Sequence, residues 1–527
     1  MNKLLYNARI HTLDEENPIS TAVLIKDGRF SIVGNSEELF NAFSGIPKQD
    51  MEGRVILPGL TDAHIHLQHF ALGLQMVDCE TSTRQECLQR ITEKAQQLEP
   101  GEWILGHGWN HNHWQEGYGN AASLDEAAPH NPVYLTAKSL HAGWANSQAL
   151  AIAGVTSTSD DPHNGHIIRN AAGDPSGILL ETAMELVNTI IPEPSIEKLA
   201  ESLKFAQSEL WKLGLTGIHD FDRSACFSAL QLLHQQGELK LRVLKSIPND
   251  DLASAIALGL RTGFGDDLLW MGSVKLFADG ALGPRTAAML EAYEEFPGET
   301  GQLSLDEEQV FEIGVQAVQN GISLAIHAIG DRANKQVLNG YARLRKYEQQ
   351  HLLPHARHRI EHVQLLAQED IRRLADLDLI ASMQPIHQPS DMEMADRYWG
   401  DRCQYAYAPR TQLKAGAVVA FGSDAPVESP NPFLGIHAAV TRRNGDGSPG
   451  VDGWYPEQRL SAREALIGFT QGPAYAAGRE NRLGKIKKGF LADLVVLEHD
   501  PFDIDPSQLK DVVVQSTMVA GDWVYMT

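Results

Sequence analysis

The stretch Leu57-Pro-Gly-Leu-Thr-Asp-Ala-His-Ile-His66 ends an apolar run with two histidines two residues apart. On a β-strand this spacing directs both imidazoles to the same face. With Asp62 just before them, they can present two nitrogen ligands to one metal ion. A bare H-x-H pair is also compatible with two ordinary hydrogen-bonded histidines, so the rest of the chain must decide between the two interpretations.

The run from Val55 to His66 is the first of eight short β-branched runs that alternate with amphipathic segments. The other seven predicted strands are Gly214–Asp220, Leu241–Ile247, Gly272–Asp279, Ile322–His327, His358–His362, Leu379–Gln384 and Val418–Asp424. Helices are predicted over Asp306–Asn320, with Asp306 as N-cap, and over Ala367–Ala375. Eight strands alternating with helices predict an α/β fold, a closed (β/α)₈ TIM barrel.

Both ends of the chain predict short strands that are too few to bury a core alone. They are Lys3–Ile10, Ala22–Lys26 and Phe30–Val33 at one end, and Ala492–Leu497, Val512–Val514 and Thr517–Tyr525 at the other. Asp27-Gly-Arg29 has the composition of a hairpin turn. We therefore expect residues 1–56 and 480–527 to form one small β-sandwich, and residues 57–479 to form the barrel domain.

Residues 67–213 separate the first and second predicted strands, which is far longer than an ordinary βα connection. This insert contains strand-like pieces at Trp103–Leu105 and Val133–Thr136, and we expect a subdomain or lid that selects the substrate. It also holds a second H-x-H pair, His111 and His113. No strongly alternating strand precedes that pair, which favours a loop packed by tryptophans over a separate metal site.

Composition excludes several classes of function. The formal net charge is −24, from 68 acidic and 44 basic residues, which argues against nucleic-acid or anionic-membrane partners. It favours a soluble monomer or small homo-oligomer with a small-molecule substrate. The four cysteines form no C-x-x-C pair, and neither a signal peptide nor a membrane span is evident, so we expect reduced thiols and a cytoplasmic protein.

Chemically active side chains recur where the predicted barrel strands end, which is where barrel enzymes place their catalytic groups. They are His64 and His66 on the first strand, Lys275 in the fourth, His327 on the fifth, His362 on the sixth and Asp424 on the eighth. Each alone has an ordinary structural explanation, such as a core histidine or a helix cap. Their order at successive strand ends favours one shared site.

This set suits two divalent metal ions. His64, His66 and Asp424 can hold one ion, and His327 and His362 the other, with Lys275 bridging them as a carbamate once burial has lowered its pKa. A hydroxide shared by two such ions is a strong nucleophile near neutral pH. Asp424 is expected to act as general base and then general acid. Zinc is the first expectation, although manganese, iron or nickel fit the same ligands.

Seven stretches resemble the amidohydrolase superfamily, in the branch often called amidohydrolase family 3. They are LPGLTDAHIHL, SVKLFADGALGPRTAAML, LAIHAIGDRAN, RHRIEHVQLL, ASMQPIHQPSD, VAFGSDAPVESPNPFLGIHAAV and GKIKKGFLADLVVLEHDP, in the family's order and over nearly the whole chain. The resemblance implies a barrel carried on a sandwich built from both termini. It also implies metal roles for the same six residues, His64, His66, Lys275, His327, His362 and Asp424.

The resemblance further implies hydrolysis of a non-peptide C–N bond, in an N-substituted amide, a formamide or a cyclic amide. One alternative is deamination of an amino-substituted ring, but one-metal deaminases of the superfamily carry a glutamate three residues after the fifth-strand histidine, where this chain has Gly330. Another is a non-catalytic regulatory barrel, which the complete set of metal-type residues disfavours. If Lys275 is not carboxylated, a single metal on the histidines and Asp424 is the better interpretation.

Seven further residues are candidates for substrate binding: Asp279, Arg285, Gln384, His387, His141, Trp109 and Trp144. Asp279 and Arg285 either contact substrate or, respectively, cap a turn and form a surface pair. Gln384 and His387 are placed to line the pocket, whereas Glu361 should alternate away from it. His141 is similar to a family position near the pocket. The two tryptophans would form an apolar wall that suits a hydrophobic group on the amide nitrogen.

Overall fold

An eight-stranded parallel sheet forms the core of the barrel domain in the computed structural model, which describes residues 2–111, 114–139 and 141–527. Its strands, in sheet order, are Leu60–Ile65, Leu215–Asp220, Arg242–Pro248, Leu269–Phe277, Leu324–Ala328, Arg359–His362, Ile380–Met383 and Val418–Phe421. A parallel bridge between Ile65 and Ala425 brings the two edge strands together. The predicted (β/α)₈ barrel is therefore confirmed, and we number its strands from first to eighth.

Helices follow most of the barrel strands. The longer ones are Ile196–Lys212, Ser224–Gln235, Glu307–Gln319, Asp331–Gln350, His387–Trp399 and Pro432–Thr441. The shorter ones in this part of the chain are Leu67–Gly73, Leu252–Ala257, Arg373–Asp376, Pro409–Ala415, Ala462–Gly468 and Gln471–Ala476. The helix Ser36–Ala42 lies before the barrel, among the strands of the amino-terminal segment.

Two of the helical segments were predicted from the sequence. Asp306 caps Glu307–Gln319 through the N–H of Gln309, as the sequence predicts. The single helix predicted over Ala367–Ala375 is wrong, because a 3₁₀ turn at Gln368–Asp370 precedes the short helix Arg373–Asp376.

The predicted strand Val55–His66 is divided between two sheets. Val55–Pro58 pairs with Leu494–Leu497 in a terminal sheet, whereas Leu60–Ile65 is the first barrel strand. Gly59 lies at the crossing, where a Cβ atom would come within 2.3 Å of Thr216 Oγ1. Only glycine allows the chain to pass from one sheet to the other at this point.

Both chain ends contribute to a β-sandwich, as predicted. One sheet contains Lys3–Tyr6, Ala22–Lys26, Arg29–Gly34 and Lys48–Asp50; the other contains Arg9–His11, Ile19–Ser20, Val55–Pro58, Leu494–Leu497, Val514–Val519 and Asp522–Met526. The predicted strand Lys3–Ile10 splits between the two sheets because Asn7 turns the backbone at φ +56°. Side chains such as Leu5, Phe30, Ile56 and Leu494 share the core between the sheets.

Residues 71–198, most of the predicted insert, form a compact unit of their own. Its sheet contains Val77–Asp78, Ile104–Trp109, Val133–Ala137, Ala142–Ala145, Gly165–Arg169 and Pro175–Glu181, with helices at Arg84–Ala95, Ala121–Ala127, Ser147–Ile152 and Glu185–Asn188.

All four cysteines of the protein are buried free thiols. Across the described residues, every helix is too short or too polar to cross a membrane.

Candidate metal centre and active site

Six predicted metal-type residues come together at the carboxyl ends of the barrel strands. The Nε2 atoms of His64 and His66 lie 3.5 and 3.4 Å from Asp424 Oδ1. Lys275 Nζ is 3.4 Å from His64 Nε2. The ring of His362 lies 4.9 Å from that of His64 and 4.5 Å from that of His327, between centroids. The tertiary structure thus joins residues that are up to 360 positions apart (424 − 64) in the chain.

Two of these residues have left-handed backbones, His362 with φ +73° and Asp424 with φ +62°. Non-glycine residues adopt this conformation at a cost, and it is frequent at functional sites. The sixth strand ends at His362, so simple alternation no longer separates Glu361 from His362. Glu361 accordingly contacts His64 inside the barrel, and the expectation that it alternates away from the site is wrong.

Each of the four histidines uses one ring nitrogen to bond an oxygen acceptor. The pairs are His64 Nδ1 with Glu361 Oε2 (2.6 Å), His66 Nδ1 with Asp222 Oδ1 (3.3 Å), His327 Nε2 with the Gly280 carbonyl (2.9 Å) and His362 Nδ1 with Gln384 Oε1 (2.9 Å). Since each acceptor requires an N–H, the opposite nitrogen of a neutral ring keeps a lone pair. This is how proteins orient metal-binding histidines.

Burial keeps three of the rings neutral. It lowers the pKa of His64 to about 3 and of His327 to about 4, with the charge of Lys275 adding to the effect. Burial also lowers the pKa of His362 well below its usual range. Neutral imidazole is the form that coordinates a metal ion.

His66 and Asp424 form an oppositely charged pair within the site. Burial opposes the charge on His66, but the carboxylates of Asp222 and Asp424 raise its pKa to about 9. Burial would raise the pKa of Asp424, yet His64 and His66 hold it well below its usual range. An ion held by both residues would therefore displace a proton from His66.

Lys275 is buried without a direct ion pair among the described residues, although the charges of Glu361 and Asp424 act on it at longer range. Its Nζ lies 4.3 Å above the ring of Phe221, and within the described chain no carboxylate pairs with it, whereas buried Lys245 pairs with Asp220 at 2.9 Å. Burial lowers the pKa of Lys275 to about 8. A lysine in this environment loses its proton readily, as reaction with CO₂ requires.

The donor set fits a divalent metal ion. His64, His66 and Asp424 offer ligand atoms within 4.8 Å of one another, and so do His362, His387 and Asp424. Imidazole nitrogens with one carboxylate suit zinc and similar ions. His69 and Asp222 form a further such group with His66, at the edge of the same site.

Gln384 and His387 lie beside this centre, as predicted for the end of the seventh strand. Gln384 holds the ring of His362 through its Oε1 atom. His387 Nε2 is 3.9 Å from Asp424 Oδ2 and has no hydrogen-bond partner among the described residues. Gln384 therefore positions a candidate ligand, and His387 presents a free nitrogen to Asp424.

Asp279 and Arg285 have structural partners. Asp279 is buried and accepts backbone N–H bonds from Ala288, Ile329 and Gly330 at 2.8–3.0 Å. Arg285 donates to Glu299 at 2.9 Å and lies 3.9 Å from the ring of Phe296. These contacts favour the structural interpretation of both residues over substrate contact.

The tryptophans of the insert are core residues of that unit. Trp109 and Trp144 have no exposed surface, and their N–H groups donate to the carbonyls of Leu135 and Asn120. The expectation that they form a wall for the substrate is wrong, because nothing of either ring is accessible. His141 is 70% exposed at its side chain and bonds Glu181 at 3.0 Å. His113 lies outside the described residues, and His111 stacks on Tyr118.

Sequence reasoning missed the contribution of the second barrel strand. Asp222 follows that strand and accepts hydrogen bonds from His66 and His69, the latter at 2.7 Å. On the first barrel strand, the Asp62 carboxylate also supports the site, because it accepts the backbone N–H groups of His64 and Ser423, both at 3.0 Å. The polar run His219-Asp-Phe-Asp222 at a predicted strand end was the available signal.

A parallel barrel whose strand ends gather four histidines, a lysine and an aspartate defines a protein of the metal-dependent hydrolase class. The chain belongs to amidohydrolase family 3. The model of this family, described as Amidohydrolase family, matches residues 49–525. The resemblance read from the seven motifs is thereby confirmed.

Relatives match over nearly their whole length. The chain is 32% identical to YtcJ of Bacillus subtilis, over 100% of this chain and 99% of that protein. It is 30% identical to the N-substituted formamide deformylase of Arthrobacter pascens, over 98% and 97%. The crystal structure of an uncharacterized metal-dependent hydrolase from Pyrococcus furiosus matches with a TM-score of 0.80 and 27% identity, over 95% of this chain and 100% of that one.

Proposed function

We propose that this protein hydrolyses a C–N bond other than a peptide bond in a small molecule: an N-substituted amide, a formamide or a cyclic amide. The observation that supports this most strongly is the set of four histidines beside Asp424 and Lys275 that each donate one N–H to an oxygen acceptor. The other ring nitrogen is then available to a metal ion, in His66 once the extra proton has been displaced. The similarity to an N-substituted formamide deformylase supports the choice of bond.

One or two divalent ions, with zinc as the first expectation, would be held by His64, His66 and Asp424 and by His327 and His362. When bound, such an ion polarises the carbonyl under attack and lowers the pKa of water. Lys275, which makes no direct ion pair among the described residues, is the residue that would carry CO₂ as a carbamate between the two ligand sets.

Asp424 is the proposed proton carrier. Its low pKa keeps the carboxylate ionised at neutral pH, which is the state that accepts a proton. The carboxylate would take a proton from the attacking water and transfer it to the leaving amine. His66 and His64 hold Oδ1 in place, while Oδ2 faces His387.

A deaminase is less well supported. The residue after Gly330 is Asp331, which accepts the N–H of Leu290 at 2.8 Å and starts a helix. It therefore anchors a loop and does not replace the glutamate that one-metal deaminases carry.

The first test is metal content and intact mass on protein purified without chelator. We expect about two metal ions per chain and the added mass of CO₂ under mild conditions. Lys275→Ala should lose both the added mass and at least one ion, and Lys335→Ala, which removes a lysine paired with Glu369 outside the site, is the control. A metal content that Lys275→Ala leaves unchanged would rule out the carbamate bridge. Hydrolysis is then assayed on N-substituted formamides and amides, with Asp424→Asn expected to be inactive.

A further inference from the structure

A narrow cavity lies beside His362, at the ends of the sixth and seventh barrel strands. Gln364, Gln384, Tyr407 and Arg442 line it together with His362. Its free volume is about 10 Å³, which is room for about one water molecule or one oxygen atom of a ligand. The cavity thus adjoins the candidate metal centre and can receive only a small polar group.

Arg442 brings an unpaired positive charge to this cavity. The side chain is fully buried, and its Nε and Nη1 atoms donate to the neutral carbonyls of Trp454 (3.0 Å) and Tyr407 (2.8 Å). Among the described residues, Nη2 has no hydrogen-bond partner, and no carboxylate lies within ion-pairing distance of the guanidinium. A buried charge without a counter-charge is costly.

Other buried arginines in the protein are paired. Arg242 bonds Asp493, Arg345 bonds Glu348 and Arg359 bonds Glu361. Arg442 therefore departs from the pattern that this chain follows elsewhere, and it does so at a cavity that it shares with a candidate metal ligand.

Gln384 adds a second donor without an acceptor. Its Oε1 atom accepts a hydrogen bond from His362, and its buried Nε2 atom has no acceptor in the part of the chain that the structure describes. A guanidinium and an amide N–H₂ that both lack acceptors around one small cavity are complementary to an anionic oxygen.

We propose that this cavity binds one oxygen of a carboxylate on the substrate, so that the compound hydrolysed is an amide that also carries a carboxylate. The inference rests on the proposed function, because it assumes that a substrate lies beside His362. It adds a charge requirement to a site whose chemistry alone would accept neutral amides.

The test compares acetate with acetamide, which have nearly the same shape and differ in charge. Isothermal titration calorimetry on the metal-containing protein should show acetate binding at least about tenfold more tightly than acetamide. Arg442→Gln should abolish this preference. Arg345→Gln is the matched control, since it removes another buried arginine and should leave the preference intact.

A second variant keeps the test decisive if Arg442→Gln does not fold. Gln364→Glu places a carboxylate on the wall of the same cavity, where it would pair with Arg442. We expect this variant to fold, to unfold at a higher temperature and to lose acetate binding.

The possible outcomes separate this inference from the proposed function. Equal binding of acetate and acetamide, or acetate binding that survives these substitutions, would overturn the carboxylate site; the latter is expected if acetate only binds a metal ion. Acetate binding that depends on Arg442 in a protein that hydrolyses no amide would sustain the site and reject the proposed function. Equal hydrolysis of N-formylglycine and N-methylformamide, without acetate binding, would reject the site alone.

Discussion

At the scale of single residues, the candidate centre depends on oxygen acceptors behind the histidines. Glu361, Asp222, the Gly280 carbonyl and Gln384 each set which nitrogen of a ring carries the proton. Asp222 does this for His66, the histidine whose protonated form is most favoured. These acceptors matter for metal affinity even though none is a predicted ligand.

We expect Asp222→Asn to weaken metal binding about 10–100-fold, because the amide no longer offers a carboxylate to His66. Competition with a chromogenic chelator measures the affinity directly. Asp161→Asn is the control, since it removes the carboxylate partner of an exposed histidine, His166, outside the site. Equal affinities of the two variants would show that Asp222 does not position His66.

At the scale of elements, His358 joins the starts of the fifth and sixth barrel strands. Its Nδ1 atom accepts the N–H of Leu324 at 3.0 Å, and its Nε2 atom bonds Glu348 at 3.2 Å. Burial lowers the pKa of His358 to about 4. A proton on Nδ1 would break the bond to Leu324, so the strand junction requires the neutral ring.

Since an unfolded histidine titrates near pH 6.5, the unfolded chain binds the extra proton between about pH 6.5 and 4. The stabilisation from His358 is therefore complete above pH 6.5 and is lost as the pH falls toward 4, by about 3 kcal/mol in total. The difference in unfolding free energy between wild type and His358→Gln, from urea denaturation at pH 7.5, 6.0 and 5.0, should shrink as the pH falls. A difference that stays constant would contradict this account.

At the scale of the whole molecule, a buried ion pair ties the barrel to the carboxyl-terminal segment. Arg242, which opens the third barrel strand, bonds both oxygens of Asp493, and Asp493 also accepts the N–H of Ala520. Both side chains are almost fully buried.

Asp493→Ala leaves the guanidinium buried and unpaired, which should cost about 3–5 kcal/mol. We expect a clear fall in the thermal unfolding midpoint by differential scanning calorimetry. Glu295→Ala breaks the exposed pair with Arg397 and should change the midpoint little, because water screens the pair. Similar unfolding midpoints for the two variants would show that the buried pair does not stabilise the contact between the barrel and the carboxyl-terminal segment.

The sequence by itself determined the barrel, the sandwich built from both termini and the six residues that meet at the strand ends. These follow from periodicity and from the order of strand-end residues, both of which are local in the chain. Tertiary structure alone decided where Val55–His66 divides, that Glu361 turns toward His64, that Asp222 supports His66 and that Trp109 and Trp144 are core residues. Each of these depends on contacts between residues that are far apart in the chain. The contacts are the steric limit at Gly59, the left-handed backbone at His362 and the packing of the tryptophans inside the insert. No local sequence pattern contains this information.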